Sequence, residues 1–177
     1  MKDRPTPRDQ DEAVPRPDLS SSQRLMAARL QALADASIGP HRMEYVGTVK
    51  GVEYINDSRS TFFDATLRSL SEVGKRTVWI VGAPGAEATH EILGELLKEQ
   101  VGAIVFYGAD AESVIDALPE HIDQVFHAQE LRTAVFLARE LATSGDAVLF
   151  SPACPSGNGF ANYEERGYEF KRAVKDL

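Results

Sequence analysis

The chain reads as an α/β protein, a Rossmann-like three-layer domain with a roughly six-stranded, mostly parallel sheet. Three observations predict it. Short apolar runs recur at Thr77–Val81, 103–107, 124–126 and Ala147–Phe150. Helix-period patterns separate or follow them, over 87–99, 110–118, 129–142 and 160–174. Run follows run at roughly 20–25 residues, the rhythm of βαβ units whose strands are covered by helices on both faces.

The elements follow in chain order. Residues 1–21 hold four of the nine prolines (Pro5, Pro7, Pro15, Pro17), with many Asp and Arg and almost no large apolar side chain. Such a segment buries too little to offset its ordering entropy, so a disordered tail is expected, with a partner-binding arm as the alternative. Residues 22–39 supply a helix and linker, with Leu25, Leu30, Leu33 and several alanines on one face. The start at Met1 and the polar tail favour a separate short gene. The main domain is expected over 40–177. Within it, β-like runs at 42–47 and Val52–Asn56 flank Lys50-Gly51, a candidate hairpin turn. A helix over Phe63–Val73 comes next, then the alternating units. In the last helix Phe160, Tyr163, Phe170 and Val174 recur at helical intervals and are expected to face the sheet. No internal repeat is visible.

Bulk composition narrows the function. The 177 residues suit one domain with a real core, and 43% hydrophobic with 26% charged residues fits a soluble globular protein. A net charge of −8 argues against non-specific nucleic-acid binding, which needs basic patches to release counterions. Cys154 is the one cysteine, which rules out an intramolecular disulfide and suits a reducing compartment. The N-terminus has no apolar signal region and no stretch is long enough to span a bilayer. A cytoplasmic location is expected.

Two loops carry the candidate chemistry. Asn56-Asp57-Ser58-Arg59-Ser60-Thr61 leaves a strand and enters a helix. Asp57 can accept two hydroxyl hydrogen bonds, as a ribose diol needs, and Arg59 offers a planar fork to phosphate or carboxylate. Ser60 or Thr61 also suits a helix N-cap, so a capping turn and a ligand site both remain open. The second loop, 151–159, combines Pro152 and Pro155 with Gly157 and Gly159. Ser156 and Asn158 precede the last helix, whose positive N-terminal end favours an anion; a plain connection is the alternative. Both loops leave parallel strands, so they are expected side by side at one sheet edge as a shallow anion-accepting pocket.

Other features carry less. Cys154 has no base partner in sequence and reads as a buried small residue. Val81-Gly82-Ala83-Pro84-Gly85-Ala86-Glu87 is no P-loop, because Ala86 and Glu87 stand where Lys and a hydroxyl residue are needed to reach phosphates and Mg²⁺. Gly74-Lys75-Arg76 also fails, since it precedes a strand. His41, His90, His121 and His127 show no metal-ligand spacing; surface or helix-end roles are expected.

In order, the pieces are His41-Arg42-Met43-Glu44, Gly51 through Thr61, Asp64-Ala65-Thr66, Leu149 through Cys154, Ser156, and Phe160 through Gly167. Over 40–177 this resembles the C-terminal domain of the Mur ligases, in particular the muramoyl-alanine:D-glutamate type. The resemblance implies a domain that closes over a site built with two others, one holding a UDP-sugar and one holding ATP and Mg²⁺. It implies chemistry through an acyl phosphate, which an amino acid's amino group then attacks. It places Arg42, Asp57 and Arg59 toward the nucleotide, and Thr61, Ser156 and Phe160 around the amino acid. No catalytic residue and no metal ligand is assigned to this chain. ATP or ADP and Mg²⁺ are expected only in complex with Mur ligase N-terminal and central domains on another chain. The alternatives are a non-catalytic binding or regulatory module and an excised or truncated ligase.

Departures from the family pattern accompany it. Arg59 stands where the motif usually has Lys, and Phe62 where it closes with Asn. Pro84 and Ala86 stand where the loop after Thr77–Val81 usually carries Asp and Lys. Losing a Lys that pairs a substrate carboxylate is expected to weaken amino-acid binding about tenfold or more, the worth of one charge-assisted hydrogen bond.

Overall fold

A computed structural model describes residues 39–82, 100–108, 124–157 and 159–177. The chain divides into two units, Met1–Ala36 and Ser37–Leu177, and every described residue lies in the second. The expected tail, the helix over 22–37, the helical patterns over 87–99 and 110–118, Pro84, Ala86 and Asn158 fall outside the described residues.

Six strands form one sheet: β1 (Glu44–Val49), β2 (Val52–Asn56), β3 (Thr77–Val81), β4 (Val101–Tyr107), β5 (Val125–Ala128) and β6 (Ala147–Phe150). Three helices are described: α1 (Phe63–Val73), α2 (Leu131–Leu141) and α3 (Tyr163–Lys175). The strand order is β1-β2-β6-β3-β4-β5. Only β1 runs antiparallel, paired to β2 through the two-residue turn Lys50-Gly51. Both turn residues have positive φ (50° and 82°), as this hairpin turn requires, and Gly51 takes that geometry without strain. The remaining pairings are parallel.

Side-chain alternation builds three layers. Val52, Tyr54, Val78, Ile80, Val148 and Phe150 face one side, where they pack with Leu131, Ala134, Val135 and Ala138 of α2 and Phe170, Ala173 and Val174 of α3. Their neighbours Ile55, Trp79, Val81, Ala147 and Leu149 face the other, against Leu70 and Val73 of α1. Every residue of β3 and β6 is buried, as strands covered on both faces must be. Parallel strands all point one way, so the loops after β2, β6 and β3 emerge at one edge. That edge positions the site.

Boundaries shift where backbone geometry intervenes. β1 starts at Glu44 rather than residue 42, because His41 and Met43 have left-handed φ of 73° and 44°. The last helix starts at Tyr163, three residues past the apolar signal of Phe160. Phe170 and Val174 face the core as expected and Phe160 packs against its margin. Tyr163 does not: it lies beside His41 and under Arg59, outside both core clusters.

Candidate functional site

Register brings the two motif loops together. Asn56 of β2 pairs with Phe150 of β6, so Asp57 and Ser151 leave the sheet as neighbours. The Asp57 amide donates to Phe150 O at 2.8 Å, and Ala153 N donates to Ser60 O at 3.1 Å. The Gly82 amide, at the end of β3, donates to Pro152 O at 2.9 Å. Three strand ends are thus stitched by main-chain bonds.

Asp57 is fully buried, 0% exposed. Its Oδ2 accepts from the Ser60 hydroxyl at 2.6 Å and the Ser151 hydroxyl at 2.8 Å; its Oδ1 accepts from Met43 N at 3.2 Å. A carboxylate has about four lone-pair directions, so three are committed to protein donors. The two hydroxyls that Asp57 accepts in this structure are those of Ser60 and Ser151. Asp57 is the brace that ties the first loop to the second and to the 41–43 turn.

Arg166 closes the same seam from α3. It is 1% exposed, and its guanidinium donates to Ser58 O from Nε (3.2 Å) and Nη2 (2.9 Å), to Cys154 O (3.0 Å) and to Pro155 O (3.2 Å). A planar fork suits this task because one rigid group reaches carbonyls on both loops. Burial raises the pKa of the neighbouring Tyr107 phenol, an effect that Arg166 opposes only in part, so the phenol stays neutral. Arg166 lies within the Phe160–Gly167 stretch, and its signal in the sequence is an arginine three residues into a helix that follows a site loop.

A family profile described as "Mur ligase, glutamate ligase domain" matches residues 41–154, the first motif loop and the start of the second included. The chain belongs to the Mur ligase family. Curated relatives of this Mur ligase domain include UDP-N-acetylmuramoylalanine–D-glutamate ligases. That of Christiangramia forsetii is 39% identical over 137 residues, covering 77% of this chain and 31% of the relative. That of Saccharophagus degradans is 41% identical over 150 residues, covering 83% and 33%. The chain therefore spans about a third of the length of these relatives. Among solved structures, MurF ligase from Thermotoga maritima in complex with ADP matches with a TM-score of 0.51 at 19% identity, over 88% of this chain and 38% of that one. A UDP-N-acetylmuramoyl-L-alanyl-D-glutamate–2,6-diaminopimelate ligase matches at 0.52 and 14%, with the same coverages. At such identities these likenesses establish the fold.

The Mur ligase domain distributes its expected site residues unevenly. Arg42 and Arg59 are exposed and share the same turn, since Arg59 N donates to His41 O at 2.9 Å. The Arg59 guanidinium lies 5.8 Å over the Tyr163 ring. Thr61 is half-buried next to Ser60, whose carbonyl is bonded to the second loop. Ser156 is half-buried in that second loop, and Phe160 is half-buried against the core. Phe160 also borders a groove of about 530 Å³ lined by Asn162, Glu164, Glu165, Tyr168, Glu169 and Arg172. Three carboxylates make that groove a poor place for an anion.

Two further expectations are corrected. The start of α3 is not an open anion seat. Asn162 Oδ1 accepts from Glu165 N at 2.8 Å, Glu165 Oε2 accepts from Ala161 N at 2.7 Å, and Glu164 and Glu165 already complement the helix dipole. Neither Ser60 nor Thr61 caps α1. Its N-cap is Phe62, which makes no side-chain cap hydrogen bond. Cys154 is buried, as expected.

Proposed function

We propose that this Mur ligase domain is the closing module of an ATP-dependent peptidoglycan-precursor ligase of the muramoyl-alanine:D-glutamate type. In this reading its nucleotide- and UDP-sugar-binding domains belong to separate partner chains. The observation that carries it is the bracing of both motif loops at one sheet edge by Asp57 and Arg166, which leaves Arg59 and the uncapped start of α1 exposed beside Thr61. A ligase of this class brings together a nucleotide, a muramoyl carboxylate and an amino acid, all of them anionic. Exposed guanidinium groups and a helix N-terminus without a side-chain cap suit such ligands. Arg42 and Arg59 meet the nucleotide phosphates, with Asp57 holding their loop from behind. Thr61, Ser156 and Phe160 border the incoming amino acid.

Bound ATP supplies the phosphoryl group that activates the muramoyl carboxyl. Among the described residues no group of three His, Cys, Asp or Glu side chains is placed to hold a metal, and Asp57 is committed elsewhere. The domain's work is to bind, orient and exclude water when the site closes.

The test is phosphate release with muramoyl-alanine, D-glutamate and ATP. The pure chain should match the blank. Adding it to a D-glutamate ligase truncated before its third domain should restore turnover. Robust turnover by the chain alone, or no gain from its addition, would overturn the closing-module reading.

A second reading, a non-catalytic binding or regulatory module, is favoured by one observation. Phe62, 72% exposed, stands where the family motif closes with Asn. The two readings separate at position 86. In the closing-module reading Ala86→Lys should tighten D-glutamate binding in calorimetry and Ser156→Ala should weaken it. If neither changes binding, the regulatory module is the better reading.

A further inference from the structure

We infer that His41 is a positioning residue that fixes Arg42 and Arg59, the two exposed arginines beside it. This rests on the reading of those arginines as nucleotide-facing, and goes on to say what holds them. His41 is 2% exposed, which corrects the surface or helix-end role expected from sequence. Its ring Nδ1 lies 3.2 Å from Asn56 Nδ2 and 3.2 Å from Ser58 Oγ. The Asn56 amide is oriented independently: its Oδ1 accepts from Ser58 N at 3.2 Å, and its Nδ2 donates to Glu44 Oε2 at 2.9 Å. Nδ2 is therefore a donor toward His41, Nδ1 must accept, and the imidazole proton is on Nε2. That Nε2 is buried and has no hydrogen-bond partner among the described residues.

What this ring secures is geometry. His41 adopts φ of 73°, uncommon for a residue with a side chain, and Met43 adopts 44°, so Arg42 stands between two left-handed residues. The turn is clamped on both sides: His41 N donates to Glu44 Oε2 at 2.9 Å, and Met43 N to Asp57 Oδ1 at 3.2 Å. Arg59 is tied to the same residue through the bond from its amide to His41 O. Its guanidinium lies over Tyr163, whose ring stands edge-on to His41 at 6.0 Å. Tyr168 closes the other side of the imidazole at 4.9 Å. Gly167 supplies the space, since a Cβ there would overlap His41 Nδ1 and Ser58 Oγ. One ring thus joins the turn before β1, the first motif loop and α3.

The test uses the whole chain together with a D-glutamate ligase truncated before its third domain, ADP as probe, and two variants. His41→Gly keeps the left-handed backbone and removes the ring. His41→Asn tolerates that backbone and offers a side-chain carbonyl to the Asn56 amide and the Ser58 hydroxyl. Calorimetry should show ADP binding weakened about tenfold in His41→Gly, the effect of one charge-assisted hydrogen bond, with His41→Asn recovering most of it. Arg59→Ala should lose a similar factor, and its combination with His41→Gly little more. A ligand-free readout is amide exchange at Arg59: slow in the natural chain, fast in His41→Gly, slow again in His41→Asn. If His41→Gly binds ADP and protects the Arg59 amide as the natural chain does, the inference is overturned while the nucleotide reading stands. If the natural chain adds nothing to ADP binding by the truncated ligase, the nucleotide reading fails and amide exchange alone decides the positioning role. Should His41→Gly not fold, His41→Asn decides. Retained binding and protection support the role, and loss of both in a folded protein overturns it.

Discussion

The Asp57 carboxylate and the Ser151 hydroxyl, 94 residues apart in the chain, meet at 2.8 Å. Ser151 also shares a hydrogen bond with Thr66 of α1 at 2.8 Å. A buried acid, two loops and a helix therefore form one network, in which each group satisfies another that burial would otherwise penalise. Trp79, the one tryptophan, donates its indole N–H to Ser151 O at 2.8 Å and so reports on this seam.

Because they share one network, Asp57→Asn and Ser151→Ala should not be additive. Each should destabilise the domain by about 1–2 kcal/mol, and the double variant should fall short of the sum by at least ~0.5 kcal/mol. Urea unfolding followed by Trp79 fluorescence measures all three. Simple additivity would mean that the two residues do not act as a brace.

Arg166→Met should destabilise by about 3 kcal/mol, since it takes the guanidinium away from the Ser58 and Cys154 carbonyls inside the seam and from the Pro155 carbonyl at its rim. Arg166→Lys should recover less than half, because a single ammonium does not span both loops as a planar fork does. The Ala153 amide, bonded to Ser60 O across the seam, should lose hydrogen-exchange protection in both variants. Full protection in Arg166→Met would contradict the clasp.

Gly167→Ala sets two effects against each other. Alanine favours the helix by about 1 kcal/mol over glycine. The new methyl would overlap His41 Nδ1 and Ser58 Oγ, and the buried imidazole has little room to retreat. Overpacking of this kind costs about 1–3 kcal/mol, so a net loss of roughly 1–2 kcal/mol is expected. A thermal melt showing unchanged or raised stability would show that the ring moves freely.

Acid should loosen the turn through His41. Burial, and then the Lys171 charge, hold its pKa below the ordinary 6.5. Glu44 and Glu164 pull the other way without reversing the shift, and Tyr163 and Tyr168 complete its surroundings. Since the folded pKa lies below the unfolded one, the unfolded chain binds the proton more readily. The His41 contribution is therefore fully present above about pH 6.5 and is lost as pH falls through that value toward the folded pKa. Glu44 acts in a lower window. Burial raises its pKa, but bonds from Lys171, His41 N and Asn56 lower it further below 4.5, so its contribution persists until pH falls past that range. Urea midpoints from pH 8 to pH 5 should fall more steeply for the natural chain than for His41→Asn. Parallel slopes would remove His41 from the acid response.

The sequence determined the layers. β-branched and aromatic runs such as Thr77–Val81 and Ala147–Phe150 have little choice but buried strands, and the helical period of Phe63–Val73 suits only a helix packed on them. It also determined that the loops after β2 and β6 share an edge, because parallel strands deliver their C-terminal ends to one side. Local pattern carries such information because periodicity and turn chemistry act over a few residues.

Tertiary structure decided which polar groups of the site face inward. By residue type Asp57 reads as ligand-facing and His41 as a surface residue, and Arg166 carries no assigned role, yet each is buried among partners distant in sequence: Ser151 for Asp57, Gly167 for His41, Ser58 for Arg166. The exposed members, Arg42 and Arg59, are held from behind by these buried ones. No window of sequence shows this, because the cost of burying a charge or an amide is offset only by donors and acceptors that the completed fold brings within 3 Å.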